Sequence, residues 1–346
     1  MGVGRSSGLV VFLFGALPGE EVTARITKVR RRHAFADTVA VHRRSPERVE
    51  PPCPYFGACG GCQLQHLAYQ GQVRAKAGVL RNVLNRAGVA LPAELEQTGA
   101  SVEWRYRWRG EFHRSAAGPP LGFKHRSSYE VLGVADCLIH HPAITGSLAA
   151  VGEAVSGLGP EVRTVQLTAG GGGSQLLVAT RPDTSASASV LVDAAAALPA
   201  GPDLTNEATS LEYRGRQFRV FPDSFLQVNQ PSLDALYEPV LEFLGAELGG
   251  SHVIDAYAGI GILSLRLADL GARVTAIESN PIAARLCQLH AEMYDPAGVK
   301  TVCGPVETEL ARAGAALAVV LDPPRAGLAP EVTAWLSQSG PRTVAY

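Results

Sequence analysis

Three cysteines, Cys53, Cys59 and Cys62, crowd into ten residues with the spacing C-x5-C-x2-C, and a fourth, Cys137, lies far downstream in Ala-Asp-Cys-Leu-Ile. Thiolates are soft ligands, and four of them suit either zinc or a [4Fe–4S] cluster. Spacing alone does not separate the two. Disulfides rank behind metal ligation, because the chain shows no export signal and its thiols should stay reduced. The apolar run Leu9–Phe14 falls far short of the roughly 20 residues of a membrane helix. Pro18-Gly-Glu-Glu21 follows it with no small-residue cleavage site. A cytoplasmic protein without membrane contact is therefore expected. The remaining cysteines, Cys287 and Cys303, read as small buried apolar side chains.

A second chemistry is written in Val253-Ile-Asp-Ala-Tyr-Ala-Gly-Ile-Gly261, an apolar strand running into a glycine-rich turn ahead of a helix. Glycine lets the backbone turn sharply and approach a ligand closely. Glu278 follows at the end of the next strand, where a carboxylate can accept both hydroxyls of a ribose. The third glycine of a dinucleotide fingerprint is replaced by Ser264, and Asp255 sits before the turn. That acid suits a ligand with a cationic amino acid end and no pyrophosphate, so S-adenosylmethionine fits better than NAD. Asp322-Pro-Pro-Arg-Ala-Gly327 follows a further apolar strand. It lies beyond the carboxyl ends of the strands, where open α/β sheets bind ligands, and its prolines stiffen the loop that holds Asp322.

These groups need elements to hold them. A chain of 346 residues holds two or three domains, and a hydrophobic content of 46 % is ample for their cores. From about residue 212 the texture is α/β. Strands His252–Ala256, Arg273–Ile277 and Ala316–Leu321 alternate with helices Leu263–Leu270 and Ile282–Tyr294, which predicts a parallel sheet covered on both faces. Upstream, Val10–Phe14, Glu21–Lys28 and Thr38–Val41 read as short strands of a small β-barrel. Ser45–Pro52 is a linker, Leu64–Gly88 has helical spacing, and Val102–Val134 turns to strands. Ala169–Gly173 is expected to be a hairpin turn and Ser185–Leu198 a surface helix.

A formal charge of −1 excludes nucleic-acid binding by bulk positive charge, so any RNA contact must use local patches. The Arg30-Arg31-Arg32-His33 run reads equally as a solvated turn or as such a patch. In Trp104-Arg-Tyr-Arg-Trp-Arg109, strand alternation should send aromatics and arginines to opposite faces. The aromatics then serve either the core or base stacking.

Together, Phe225-Leu-Gln-Val-Asn229, the Asp255–Gly261 loop, Glu278 and Asp322-Pro-Pro-Arg325 resemble, in order and spacing, the S-adenosylmethionine-dependent RNA uridine-C5 methyltransferases of tRNA and ribosomal RNA. The resemblance covers nearly the whole chain, more loosely in the middle. It implies an α/β protein with a Rossmann-like class I methyltransferase domain at 212–346. Ahead of it stand a small OB-like β-barrel of the TRAM type at 1–45, short of its first strand or so, and a β-rich central domain with the cysteine cluster at 46–211. By the same resemblance Gln227 and Asp322 hold the amino acid end of S-adenosylmethionine, Glu278 its ribose, and Tyr257 also touches it. Cys53, Cys59, Cys62 and Cys137 would hold a [4Fe–4S] cluster that ties the linker to the central domain. RNA is the implied partner, ribosomal RNA ahead of tRNA, and no protein partner is implied.

In the family, a cysteine adds to C6 of a uracil drawn out of its stack, C5 attacks the sulfonium methyl, a carboxylate removes the C5 proton, and the cysteine is eliminated. The nucleophile follows the strand that corresponds to Pro341–Tyr346. No catalytic residue is therefore expected within 1–346. The expectation is a C-terminally truncated chain that binds cofactor without methylating by itself, with Val344 on an unpaired edge. Competing with it is a non-catalytic RNA-binding or iron–sulfur module that kept the scaffold. Ser264 and the Asp322 motif argue against a third alternative, an NAD enzyme.

Overall fold

Alternating apolar and polar residues in the first forty positions produce four strands, β1 (Gly2–Ser6), β2 (Leu9–Phe14), β3 (Glu21–Val29) and β4 (His33–Arg43), one more than the sequence suggested. Their order is β1-β2-β4-β3, with β2 and β4 parallel and the other pairs antiparallel. The register between β3 and β4 shifts three times along the pair, and the sheet carries a small core of Val11, Ala34 and Ala36. The Arg30–His33 run is the turn joining β3 to β4, closed by Arg30 N–H donating to the His33 carbonyl at 2.8 Å. Arg30, Arg31 and Arg32 are exposed. This computed structural model describes all residues except 93, 159–161, 182–187, 194–207 and 296.

The linker is pinned by charge. The Glu20 side chain is fully buried and accepts from Arg48 Nε and Nη2 at 2.5 and 2.6 Å, and from the backbone N–H groups of Leu17 and Ser45. The Arg48 guanidinium holds the Glu20 pKa down at about 2. Helix α1 (Tyr69–Arg86) starts later than the spacing from Leu64 predicts. The reason is that residues 64–67 close a turn, Leu67 N–H donating to Leu64 O at 2.9 Å, and are pinned to the linker by the Arg48–Leu67 β-bridge and by Val49 N–H donating to His66 O.

Two compact units divide the chain, residues 1–99 with 115–137, and residues 100–114 with 138–346. The second unit takes β5 (Arg109–Arg114), while the first regains the hairpin β6 (Leu121–Lys124) and β7 (Val131–Gly133). In the second unit follow α2 (Pro142–Thr145), α3 (Leu148–Ser156), β8 (Thr164–Gly170), β9 (Gln175–Arg181) and β10 (Ala188–Asp193). Strands β5, β8, β9 and β10 pair antiparallel in that order. The glycines at 171–173 form the β8–β9 turn with positive φ, as the sequence predicts.

Two expectations fail here. Residues 188–193 form β10, not part of a surface helix, because the free edge of β9 offers a ladder, Ala188 facing Thr180, that outweighs the helix preference of Ala and Ser. The rest of Ser185–Leu198 lies outside the described residues. Residues 104–108 are not a strand either. Arg105 has φ +57°, and the N–H groups of Arg105, Arg107 and Trp108 go to Leu138, Ile139 and Val228 instead of to one neighbour.

The hairpin β11 (Thr209–Tyr213) and β12 (Arg216–Val220) and helix α4 (Leu233–Leu244) lead into the α/β part. It runs β13 (His252–Ala256), α5 (Ile262–Asp269), β14 (Arg273–Glu278), α6 (Pro281–Tyr294), β15 (Val299–Cys303), α7 (Val306–Arg312), β16 (Ala318–Leu321), α8 (Pro330–Ser339) and β17 (Thr343–Ala345). All five strands are parallel, ordered β15-β14-β13-β16-β17. Alternate residues feed two cores: Val253, Val274 and Val320 on one face, Ile254, Ile277 and Val319 on the other. The chain winds outward in one direction from β13 and then in the other, so the order reverses between β13 and β16. That is where a parallel sheet opens a crevice beyond its carboxyl ends. Among the described residues no helix is long and apolar enough to cross a membrane.

Candidate functional site

The crevice is built by the glycine turn after β13. Tyr257 and Ala258 both donate backbone N–H to Ile277 O, at 2.9 and 3.0 Å, which bends the chain away from β13. Tyr257 pays with a φ of +68°, a left-handed conformation that a bulky residue keeps only where the surroundings impose it. Gly261 follows at φ +87°, where a Cβ would stand 2.7 Å from Cys287 Sγ. At Gly259, φ +57°, a Cβ would meet no atom within 4 Å. One glycine is therefore required by packing from behind. The other faces open space, as a ligand's approach demands.

Glu278 stands at the tip of β14 beside this turn. Its Oε2 accepts from Gly259 N–H at 2.9 Å and its Oε1 from Asn280 N–H at 2.7 Å. Asn280 in turn caps α6, accepting from Ile282 and Ala283 N–H. The carboxylate is thus held by backbone donors with lone pairs left over for hydroxyl groups. Across the crevice, Gln227 Nε2 donates to Asp322 Oδ2 at 3.0 Å. Asp322 is exposed as a residue, yet the protein around its carboxyl group raises its pKa, opposed by the Gln227 amide. Burial also raises the Tyr257 pKa, with Glu307 and Tyr346 adding to it. The structure brings Gln227 to Asp322 and Glu278 to the glycine turn, at the ends of β16 and β14, the two strands that flank β13.

Asp255 does not do what its position suggested. Its carboxyl group is 3 % exposed and accepts from Ser264 Oγ at 2.6 Å, sealed beneath the turn and closed to a cationic ligand group. Burial pushes its pKa up to about 7, against the Ser264 hydrogen bond. Cys303 is also misread: it lies exposed at the end of the edge strand β15, while Cys287 is buried as expected. Sequence reasoning missed the role of Arg109, which strand alternation puts on the face opposite the aromatics. That side chain is 8 % exposed, not in water, and donates to Thr168 Oγ1 and to the carbonyls of Phe221 and Ser224, at 2.8, 2.9 and 2.5 Å. It anchors the turn that leads into Gln227.

In the first unit, Cys53, Cys59, Cys62 and Cys137 are all partly buried, and none is in a disulfide among the described residues. Residues 53–62 are tied to the β6–β7 region: Gly60 N–H donates to Lys124 O, Arg126 N–H to Ala58 O, and Ala135 N–H to Tyr55 Oη at 3.0 Å. Those bonds carry the three-cysteine loop toward the segment that ends in Cys137. Gly61 N–H donates to Cys59 Sγ at 3.4 Å. The Cys59 pKa is raised, first by burial and then by Cys62 and Cys53. Among the described residues, however, no three His, Cys, Asp or Glu side chains converge closely enough to hold a metal ion.

Comparison with known proteins supplies a context for this geometry. Residues 1–39 match the TRAM domain. The chain is 33 % identical to the 23S rRNA (uracil(1939)-C(5))-methyltransferase RlmD of Dichelobacter nodosus, over 100 % of this chain and 85 % of that protein. It is 30 % identical to an uncharacterized RNA methyltransferase of Halalkalibacterium halodurans, over 94 % and 80 % of the two chains. Among solved structures it is similar to Pyrococcus abyssi tRNA (uracil-54, C5)-methyltransferase in complex with S-adenosyl-L-homocysteine. That match has a TM-score of 0.72 at 20 % identity, and covers 99 % of this chain and 86 % of the other. At that identity the likeness speaks for the fold.

Proposed function

This chain belongs to the RNA (uracil-C5) methyltransferase family, and on that premise we propose that it serves S-adenosylmethionine-dependent methylation of uridine C5 in RNA, ribosomal RNA ahead of tRNA. The observation that carries the reading is the crevice itself. A turn with open space at Gly259 lies beside a backbone-held Glu278, and an amide–carboxylate pair, Gln227 and Asp322, stands at the neighbouring strand end. When bound, S-adenosylmethionine supplies an electrophilic methyl group on a sulfonium.

The chain's own residues seat it. Glu278 would accept the ribose hydroxyls, Asp322 would balance the charged amino group, and Gln227 would orient that carboxylate. Tyr257 would wall the crevice. The attacking thiol is assigned to no residue of 1–346, since Cys287 is sealed behind the glycine turn and Cys303 sits at the end of edge strand β15. The functional bounds proposed are an RNA-gripping barrel at 1–45, a central domain at 46–211 and the cofactor domain at 212–346, in a cytoplasmic protein. A [4Fe–4S] cluster would be held by Cys53, Cys59, Cys62 and Cys137. Four partly buried thiols on loops tied together by hydrogen bonds, with an N–H already directed at Cys59 Sγ, support that assignment. The cluster's role is to cross-link those loops.

Calorimetry tests the reading. The purified chain should bind S-adenosylmethionine and ignore NAD, and Asp322→Ala should weaken binding about tenfold or more, the scale of one lost charge-assisted hydrogen bond. Binding of NAD in preference would overturn it.

A further inference from the structure

His290 lies on α6 between β12 and the glycine turn and is 0 % exposed. Its ring is held at both nitrogens. Arg219, on β12, donates its backbone N–H to Nε2 at 2.8 Å. Nε2 is therefore the acceptor, so Nδ1 carries the proton and donates to the carbonyl of Ile260 at 2.9 Å. Phe218 meets the ring edge-on at 5.0 Å, which fixes its plane. Burial lowers the His290 pKa and keeps the ring neutral, the state in which it can accept from Arg219.

Ile260 is the residue between the two glycines of the cofactor turn. Its carbonyl defines the plane of the peptide that enters Gly261, and the opposite end of the same turn is held by Gly259 N–H on Glu278. A glycine-rich segment with positive φ has many conformations open to it and needs such anchors to keep one. We propose that His290 is a positioning residue for the cofactor: through its Nδ1–H it fixes the Ile260 carbonyl, and so preorganises the Gly259–Gly261 turn to accept S-adenosylmethionine. The inference rests on the proposed cofactor. It adds a residue, some thirty positions downstream of the turn, to the set that decides how tightly that cofactor binds.

The two hydrogen bonds can be tested apart, because Asn and Gln each reproduce one of them. The Asn amide nitrogen falls near Nδ1 and can donate to Ile260 O. The Gln side-chain oxygen reaches the Nε2 position and can accept from Arg219 N–H. Calorimetry with S-adenosylmethionine and thermal unfolding are compared for wild type, His290→Phe, His290→Asn and His290→Gln. His290→Phe should lose about tenfold in affinity, one hydrogen bond's worth. His290→Asn should recover most of that loss, and His290→Gln should recover stability without recovering affinity. A purely structural histidine predicts that Asn and Gln rescue alike, or that affinity never changes. Either result overturns the inference, and the Asn–Gln comparison decides it alone if His290→Phe does not fold. Nitrogen-15 spectra of wild type should show the neutral Nδ1–H tautomer, and the opposite tautomer would overturn it too. Absence of S-adenosylmethionine binding by wild type would instead refute the proposed cofactor.

Discussion

Replacing Asp255 by Asn should remove a pH dependence from the stability of the α/β part. The Asp255 carboxyl group is 3 % exposed, hydrogen-bonded to Ser264, and its pKa rises from 3.8 to about 7, mainly through burial. The folded chain therefore keeps this proton up to about pH 7, while the unfolded chain releases it near 3.8. Between those values the folded state binds more protons, so the contribution is fully present below about pH 4 and is lost as pH rises through about 7. At about 1.4 kcal/mol per pH unit, that window corresponds to about 4 kcal/mol. Asn carries no titrating proton and can still pair with Ser264. Urea unfolding of both proteins from pH 4.5 to 8 gives the difference in stability at each pH, in which the other titrating groups cancel. The difference should shift toward the variant by several kcal/mol, on the order of the 4 above, as pH rises. A difference that stays constant over the range would show that the folded carboxyl group ionises at its usual pH, and the argument from burial would fail.

Gly261→Ala should lower the melting temperature, because it adds a Cβ 2.7 Å from Cys287 Sγ to a left-handed residue, at a backbone cost of about 1–2 kcal/mol before any clash. Gly259→Ala meets no protein atom within 4 Å, so calorimetry should show its main effect as lost cofactor affinity with a smaller change in stability. Arg48→Met leaves the Glu20 carboxylate buried without its partner and should cost the first unit about 3–5 kcal/mol in thermal unfolding near neutral pH. Since the Glu20 pKa is lowered to about 2, the stability that the pair contributes is present above about pH 4.5 and disappears as pH falls through about 2. The wild-type protein purified without oxygen should be brown and show the broad visible absorbance of an iron–sulfur cluster, and Cys59→Ser should bleach it. A colourless wild type that carries zinc would overturn the cluster assignment.

Local pattern was enough to read the α/β part. The apolar strand before the glycine turn, the helical spacing at 282–294 and the continuous apolar run before Asp322 each depend on neighbours a few residues away, and the elements formed where that spacing put them. The same holds for the hairpin at 171–173, where glycines permit φ values other residues avoid. Residues 188–193 went the other way because strand pairing is a contact with a distant segment, here β9, and outweighs a weak helix preference.

The candidate site divides along the same line. Glu278 and Asp322 could be nominated from sequence because a carboxylate at a strand end, next to a glycine turn or a proline-stiffened loop, is a local arrangement. Gln227 had no such signal of its own and came only from the family resemblance. Tertiary structure alone decided the rest. It buried Arg109 under the turn that leads to Gln227, buried Asp255 against Ser264, left Cys303 on an exposed edge, and set His290 behind Ile260. Each of these outcomes depends on which distant segment stands within about 3 Å of a polar atom, the reach of a hydrogen bond. Spacing along a chain reports which side of its own element a residue faces, and the fold determines what it meets there.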